Sequence, residues 1–144
     1  MPHTLTRTAA HLAEALLWSE NDNSDETGGE PLDRNYSTTD IDPADLARLE
    51  AEYETFLEAA DQLLDQAIAA GTLPSWFDPA EHSLADLGPN REGQMEHDYI
   101  LTRNHHGCGF WDGDWKALGN ELTRLAQSLP EICATVDGGT VYLY

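Results

Sequence analysis

Residues 42–71 read DPADLARLEAEYETFLEAADQLLDQAIAAG, and this stretch decides the fold. Asp42 is a good N-cap, Pro43 suits the first helical position, and Asp45 puts negative charge in the first turn. Leu46, Leu49, Tyr53, Phe56, Ala60, Leu63 and Ala67 then recur at alternating spacings of three and four, the pattern of one apolar helix face. Gly71 supplies the stop. The spacing predicts a helix over Pro43 to Ala70, ~40 Å long at ~1.5 Å per residue, which has to be a main packing element of the domain. Its apolar residues also offer a seam for a homodimer.

The opposite face of the same segment is acidic. Glu54, Glu58, Asp61 and Asp65 are spaced by four, three and four, so they form a carboxylate stripe, with Glu50 and Glu52 beside it. Neighbours on such a stripe sit ~5–6 Å apart, close to the ~7 Å between phosphates on one nucleic-acid strand, about two rises of ~3.4 Å. From Asp40 to Asp65 there are nine acids against one base, Arg48. Like charges at i,i+4 destabilise a helix by a few tenths of a kcal/mol per pair. Two reasons can sustain that cost: adaptation to salt and solubility, or imitation of nucleic-acid phosphates.

The whole chain shares this bias. Its 144 residues contain 27 Asp and Glu against 7 Lys and Arg, a formal net charge of −20, and Lys116 is the only lysine. Such a field repels DNA, RNA and anionic lipid and attracts basic surfaces, so direct binding of nucleic acid or membrane is excluded as an expectation and a basic protein partner is favoured. The length suits a single domain over residues 1–144. Cys108 and Cys133 are too few for a disulfide framework, and no secretory or membrane-spanning run of apolar residues is visible. The simplest expectation is a cytoplasmic protein with reduced thiols.

Outward from the central helix, Leu5, Ala9, Leu12 and Leu16 predict an amphipathic helix over Thr4 to Trp18. Residues 19–35 collect Asn, Asp, Ser, Gly, Pro and Glu and read as a mobile acidic loop, whose Asp22, Asp25 and Glu26 join Glu50, Glu54, Glu58, Asp61 and Asp65 as candidate partner-binding residues. Residues 72–94 read as a connector pinned by Trp76, Phe77 and Leu84. Tyr99 to Thr102 has strand character, His105 to Gly109 turn character, and Phe110-Trp111 begins a second short strand. Trp115 to Leu129 predicts a third amphipathic helix with Leu118, Leu122, Leu125 and Leu129 on one face. Asp137-Gly138-Gly139 between Ile132–Val136 and Thr140–Tyr144 is a strong hairpin signal. The sum is an α+β domain, two to three helices packed on a small antiparallel sheet.

The richest concentration of chemistry lies between His97 and Asp114. Adjacent His105 and His106 in an extended segment point to opposite faces, and the paired Cys/His spacing of a zinc ribbon or finger is absent, so no metal and no cofactor is assigned. Cys108 beside His106 invites a nucleophile–base reading, but Asp112 and Asp114 oppose thiolate formation and only Arg103 favours it. No catalytic residue is assigned. His97, Arg103, Asn104, His106 and Asp112 can instead surround an anionic ligand, or can be a buried Arg–Asp pair with satisfied histidines.

The segments ALLWS (15–19), GEPLDRNYS (29–37) and HDYILTRNHHGCGFWD (97–112) resemble a family of small, mostly uncharacterised proteins encoded by phages and other bacterial mobile elements. The resemblance runs in order from about Ala15 to Tyr144, with 72–93 looking like an insertion. The family pattern around the turn is similar to Thr-Arg-Asn-Gly-His-Gly-Ala-Gly-Phe-Trp-Asp. His105 stands where that pattern has Gly and Cys108 where it has Ala, whereas His97, Arg103, Asn104, His106 and Asp112 match it. The resemblance implies a mobile-element accessory protein and no particular reaction. Joined to the charge, it leads to the expectation of a counter-defence protein of anti-CRISPR or anti-restriction type, which occludes the basic DNA-binding groove of a host immune complex. The competing expectation is a small anionic-ligand-binding or catalytic domain centred on the 102–107 turn.

Overall fold

The computed structural model describes residues 6–22, 30–88, 92–106, 110, 115 and 118–144. The fold is α+β: four helices, α1 (Arg7–Ser19), α2 (Pro43–Ala70), α3 (Gln94–Arg103) and α4 (Gly119–Gln127), with the short antiparallel pair β1 (Asn21–Asp22) and β2 (Glu30–Pro31) and the hairpin β3 (Ala134–Asp137) and β4 (Thr140–Leu143).

Helix α2 has the predicted bounds. The Asp42 carboxylate accepts from Asp45 N–H at 3.1 Å, and Gly71 ends the helix at φ 68°. There Thr72 N–H returns to the Ala67 carbonyl and Gly71 N–H to that of Ile68, both 3.2 Å. Leu46, Leu49, Tyr53, Phe56, Ala60 and Ala67 are buried, so the apolar face is taken up by the chain's own core. Leu63 is half-buried. The first turns of α2 also hold the hairpin. Asp42 N–H donates to the Val141 carbonyl at 2.8 Å, Asp45 Oδ2 accepts from Leu143 N–H at 3.0 Å, and Arg48 Nη2 donates to the Leu143 carbonyl at 2.7 Å. Thus the one base among the nine acids serves the outer edge of β4.

The hairpin forms as its turn signal predicts. Asp137 pairs with Thr140, and Gly138 and Gly139 occupy positive φ, 60° and 84°, which only glycine adopts without strain twice in succession. Backbone bonds between Cys133 and Tyr144 in both directions extend the ladder, and Val141 and Leu143 face the core.

Helix α1 starts at Thr6, whose Oγ1 accepts from Ala9 N–H and donates to Glu50 Oε2 on α2 at 2.5 Å. Ala9, Leu12, Ala13, Ala15, Leu16 and Leu17 are all buried, a wider band than one face, because α1 lies against both α2 and α3.

The structure corrects the expectation of strands at 99–102 and 110–111. Asp98 through Arg103 form the second half of α3, and all six are buried. A helix enclosed by α1, α4 and the aromatic side of α2 shows no 3.6-residue polarity, so its Tyr-Ile-Leu-Thr run is indistinguishable by pattern from a buried strand. Phe110 lies in a turn, and Trp111 is outside the described residues. Tyr53, Phe56, Tyr99, Phe110 and Trp115 form a continuous aromatic chain with ring centroids 4.7–5.7 Å apart from Tyr53–Tyr99 onward.

Burial refines the acidic segment and corrects two smaller expectations. Within the acidic 19–35 segment the described residues include the paired β1 and β2, a bond from Leu32 N–H to the Glu20 carbonyl, and the buried Leu32. In the connector, Phe77 and Leu84 are pinned, with a short 3₁₀ turn at Leu84–Leu87, but Trp76 stays 53% exposed against Phe77 and His82. Helix α4 begins at Gly119, not Trp115. Trp115 is a core residue whose ring fills the space a Gly88 side chain would take, since an added Cβ there would stand 2.5 Å from the indole.

Helix α3 ends like α2: His106 N–H returns to the Leu101 carbonyl at 2.8 Å and His105 N–H to that of Thr102 at 3.1 Å. The residue in the left-handed position is His105, φ 59°. That is the position at which the resembled pattern carries Gly. A side chain there costs conformational energy that Gly avoids. His105→Gly is therefore expected to raise stability by about 0.5–1 kcal/mol in urea unfolding followed by circular dichroism; a loss of that size would be incompatible with the observed turn.

Candidate functional site

The C-terminal end of α3 gathers Arg103, Asn104 and His106, three of the five matched motif residues. Thr102 also contributes there: its Oγ1 accepts from Phe110 N–H at 3.0 Å. Arg103 is 4% exposed. Its Nε donates to the Pro130 carbonyl at 2.7 Å, and its Nη1 donates to Glu52 Oε1 at 3.2 Å and to the Tyr99 hydroxyl at 3.0 Å. A buried guanidinium is tolerable when its donors find acceptors and a counter-charge is near; here Nε and Nη1 are bonded and Glu52 supplies the counter-charge. Burial pushes the Tyr99 hydroxyl up from its ordinary pKa while Arg103 pulls it the other way. Tyr53, one ring away, is pushed up further, by burial first and then by the charge and hydrogen bond of Glu96.

Asn104 joins α3 to the segment before β3. Its Oδ1 accepts from Ile132 N–H at 2.7 Å and its Nδ2 donates to the Ile132 carbonyl at 3.1 Å, so the side-chain amide pairs with a backbone residue as a strand would. The same Nδ2 donates to Glu20 Oε1 at 3.0 Å, and His106 Nε2 lies 3.2 Å from that oxygen. Sequence reading missed Glu20 and Glu52, because they come from 84 and 51 residues away along the chain. Asp98, part of the His97–Asp114 cluster in the sequence, is buried and takes hydrogen bonds from Gln94 and Trp115.

His97 does not join this group. It sits six residues earlier, about 9 Å back along the helix axis, against the exposed Trp18 ring of α1, with Nδ1 3.0 Å from Asp98 Oδ1. Asp112 and Cys108 lie outside the described residues. A cleft of about 300 Å³ reaches the surface beside Arg103, lined by residues including Asp45, Arg48, Glu52, Ile132 and Tyr144. Its walls carry both signs of charge. Among the described residues, no group of three or more His, Cys, Asp or Glu is placed to hold a metal ion, and no helix is long and apolar enough to cross a membrane.

The acidic face of α2 is built differently. Glu54, Glu58, Asp61 and Asp65 are exposed, and among the described residues none of them makes an ion pair or a hydrogen bond. Glu50 is half-buried and held by Thr6, so it stands at the edge of this face. Glu52 is directed to Arg103. Asp22 lies in β1, while Asp25 and Glu26 are outside the described residues. The arginines closest in sequence and in the core, Arg48 and Arg103, are spent on the Leu143 and Pro130 carbonyls and on Asp45 and Glu52. Among the described residues the stripe therefore presents uncompensated charge along one helix, whereas the α3 terminus presents polar groups already satisfied by the chain itself.

No family model, curated protein or solved structure matches this chain.

The internal partners of Asn104 give a direct test. Asn104→Asp keeps the shape but turns both Nδ2 donations into acceptor–acceptor contacts, one with a carboxylate. The expected cost is about 2–3 kcal/mol, read as a lowered urea midpoint. A cost below about 0.5 kcal/mol would mean that the turn is open to water and free to take a ligand.

Proposed function

We propose that this protein is an acidic nucleic-acid mimic of the counter-defence kind, acting in the cytoplasm of a bacterial host on a basic DNA- or RNA-binding groove of an immune complex. The resemblance of its motif to mobile-element proteins supplies the biological setting. The carrying observation is the stripe Glu54, Glu58, Asp61, Asp65: exposed, on one face of a 28-residue helix, and without a cationic partner among the described residues.

Three physical consequences support the reading. From Glu54 to Asp65 the stripe covers eleven residue steps, about 16 Å at ~1.5 Å each, enough to stand in for two or three successive phosphates. Helix α2 is anchored at its capped ends and through its buried face, so the carboxylates meet a groove with little ordering cost. The net charge of −20 steers the whole molecule toward a basic surface and away from nucleic acid. Occupation of the groove then excludes the target DNA by simple competition, with no covalent step.

A reading centred on the turn would have to release Arg103 and Asn104 from bonds that hold the core together. The stripe needs no such rearrangement.

The test is competition between this protein and duplex DNA for purified CRISPR effector and restriction complexes. The wild-type protein is expected to displace DNA at low salt and to fail near 1 M salt, where the Debye length shrinks to ~3 Å. The Glu54→Lys/Glu58→Lys/Asp61→Lys variant is expected to lose more than about 100-fold in inhibition. Undiminished inhibition by that variant sinks the mimic reading.

A further inference from the structure

A second surface feature lies away from the α2 stripe in sequence and on different elements. Between α1 and the first turn of α3 a cleft of about 350 Å³ is lined by residues including His11, Glu14, Trp18, Glu92 and His97.

His97 is held in one orientation within it. Asp98, 3% exposed, accepts from Trp115 Nε1 on one carboxylate oxygen and from Gln94 Nε2, at 2.8 Å, on the other. Both of those groups are donors only, so the carboxylate is an acceptor and His97 Nδ1, 3.0 Å away, carries the hydrogen. Nε2 is then the open position of the ring, on the side away from Asp98. In the neutral ring, such a carboxylate-fixed imidazole presents a defined lone pair at Nε2 to whatever enters beside it.

Trp18 forms an aromatic wall. Its indole is 55% exposed and lies 5.5 Å from the His97 ring. A tryptophan left this far in water beside a cleft has an unused π-face.

Charge decides what that face can take. Glu14 is exposed and has no partner among the described residues. Glu92 already accepts a guanidinium at the rim, from Arg7 Nε at 3.0 Å, and faces His11 Nε2 at 3.9 Å. With Glu92 paired to Arg7, the Glu14 carboxylate is the charge that opposes a phosphate or nucleotide, and the one-sided aromatic wall does not enclose an apolar ligand. A planar cation satisfies all three features: it stacks on Trp18, donates to the Glu14 carboxylate and donates to His97 Nε2. An ammonium group can pair with the carboxylate but lacks the flat surface and the fork of donors.

We propose that this cleft is a receptor for a guanidinium group, an arginine side chain projecting from the basic partner. The source of that arginine rests on the function proposed above, but the site's preference for guanidinium does not. The probe is N-acetyl-arginine amide, titrated at low salt into the full-length protein while the Trp18 and His97 ring resonances are followed by NMR. Saturable shifts at both rings are expected, with affinity about tenfold weaker for N-acetyl-lysine amide and about tenfold weaker for Trp18→Ala and for Glu14→Gln. Glu54→Lys/Glu58→Lys/Asp61→Lys should bind the probe at the same site, so failure of the mimic reading and failure of this one are separable. Trp18 and Glu14 are surface residues whose replacement leaves the core intact. Shifts that do not saturate, that persist undiminished in both variants, or that are equal for the lysine amide overturn the proposal.

Discussion

The buried guanidinium of Arg103, with Asn104, Thr102 and Asp98 beside it on α3, is the constraint from which the rest of the structure follows. Helix α3 turns these polar groups inward, and each one is spent on a different piece of chain. Asp98 takes the Trp115 indole, Thr102 the Phe110 amide, Arg103 the Pro130 carbonyl and Glu52, and Asn104 both backbone groups of Ile132. Among the described residues no buried side-chain nitrogen or oxygen lacks a hydrogen-bond partner. Satisfied polar networks of this kind fix one arrangement of segments that apolar packing alone would leave free, and a half-satisfied version would cost more than an apolar core. Phe110, Trp115 and residues 130–132 lie outside any helix or strand, so their positions depend on α3.

This division of labour gives the acidic surface its rigidity. The chain spends Arg48, at the surface, and the buried Arg103 on carbonyls and on Asp45 and Glu52, and leaves Glu54, Glu58, Asp61 and Asp65 without cations among the described residues. Like charges on one helix face oppose helix formation, yet α2 is held by its Asp42 and Gly71 caps, by its buried face and by the hairpin stitched to its first turns. Repulsion along the stripe is thus offset by packing on the other side of the same helix.

The parts legible in the sequence were those with local causes. Caps and a 3.6-residue apolar period placed α2 to the residue, and two successive glycines placed the β3–β4 turn. The parts that were not legible had distant causes. Helix α3 lost its periodic signature because its second half, Asp98 to Arg103, is buried throughout, and the Tyr99–Thr102 run then looked like a strand. Leu32 and Trp115 became anchors only because other segments close over them. The motif did mark Arg103, Asn104 and His106 as a group, but their partners Glu20, Glu52 and Ile132 lie 28 to 86 residues away, so a framework and a ligand site looked alike from the sequence. The left-handed φ of His105 accounts for a glycine in the resembled pattern on backbone grounds alone.

Native-state amide hydrogen exchange measures whether α3 holds the irregular segments. The amides of Ile132 and Phe110 lie outside any helix or strand and donate to the side chains of Asn104 and Thr102. If those side chains are the anchor, both amides exchange only through global unfolding, at the same free energy as the α3 amides of Ile100 to Arg103. Exchange of Ile132 and Phe110 at rates typical of exposed loops, with α3 still protected, would contradict the role assigned to the buried polar edge of that helix.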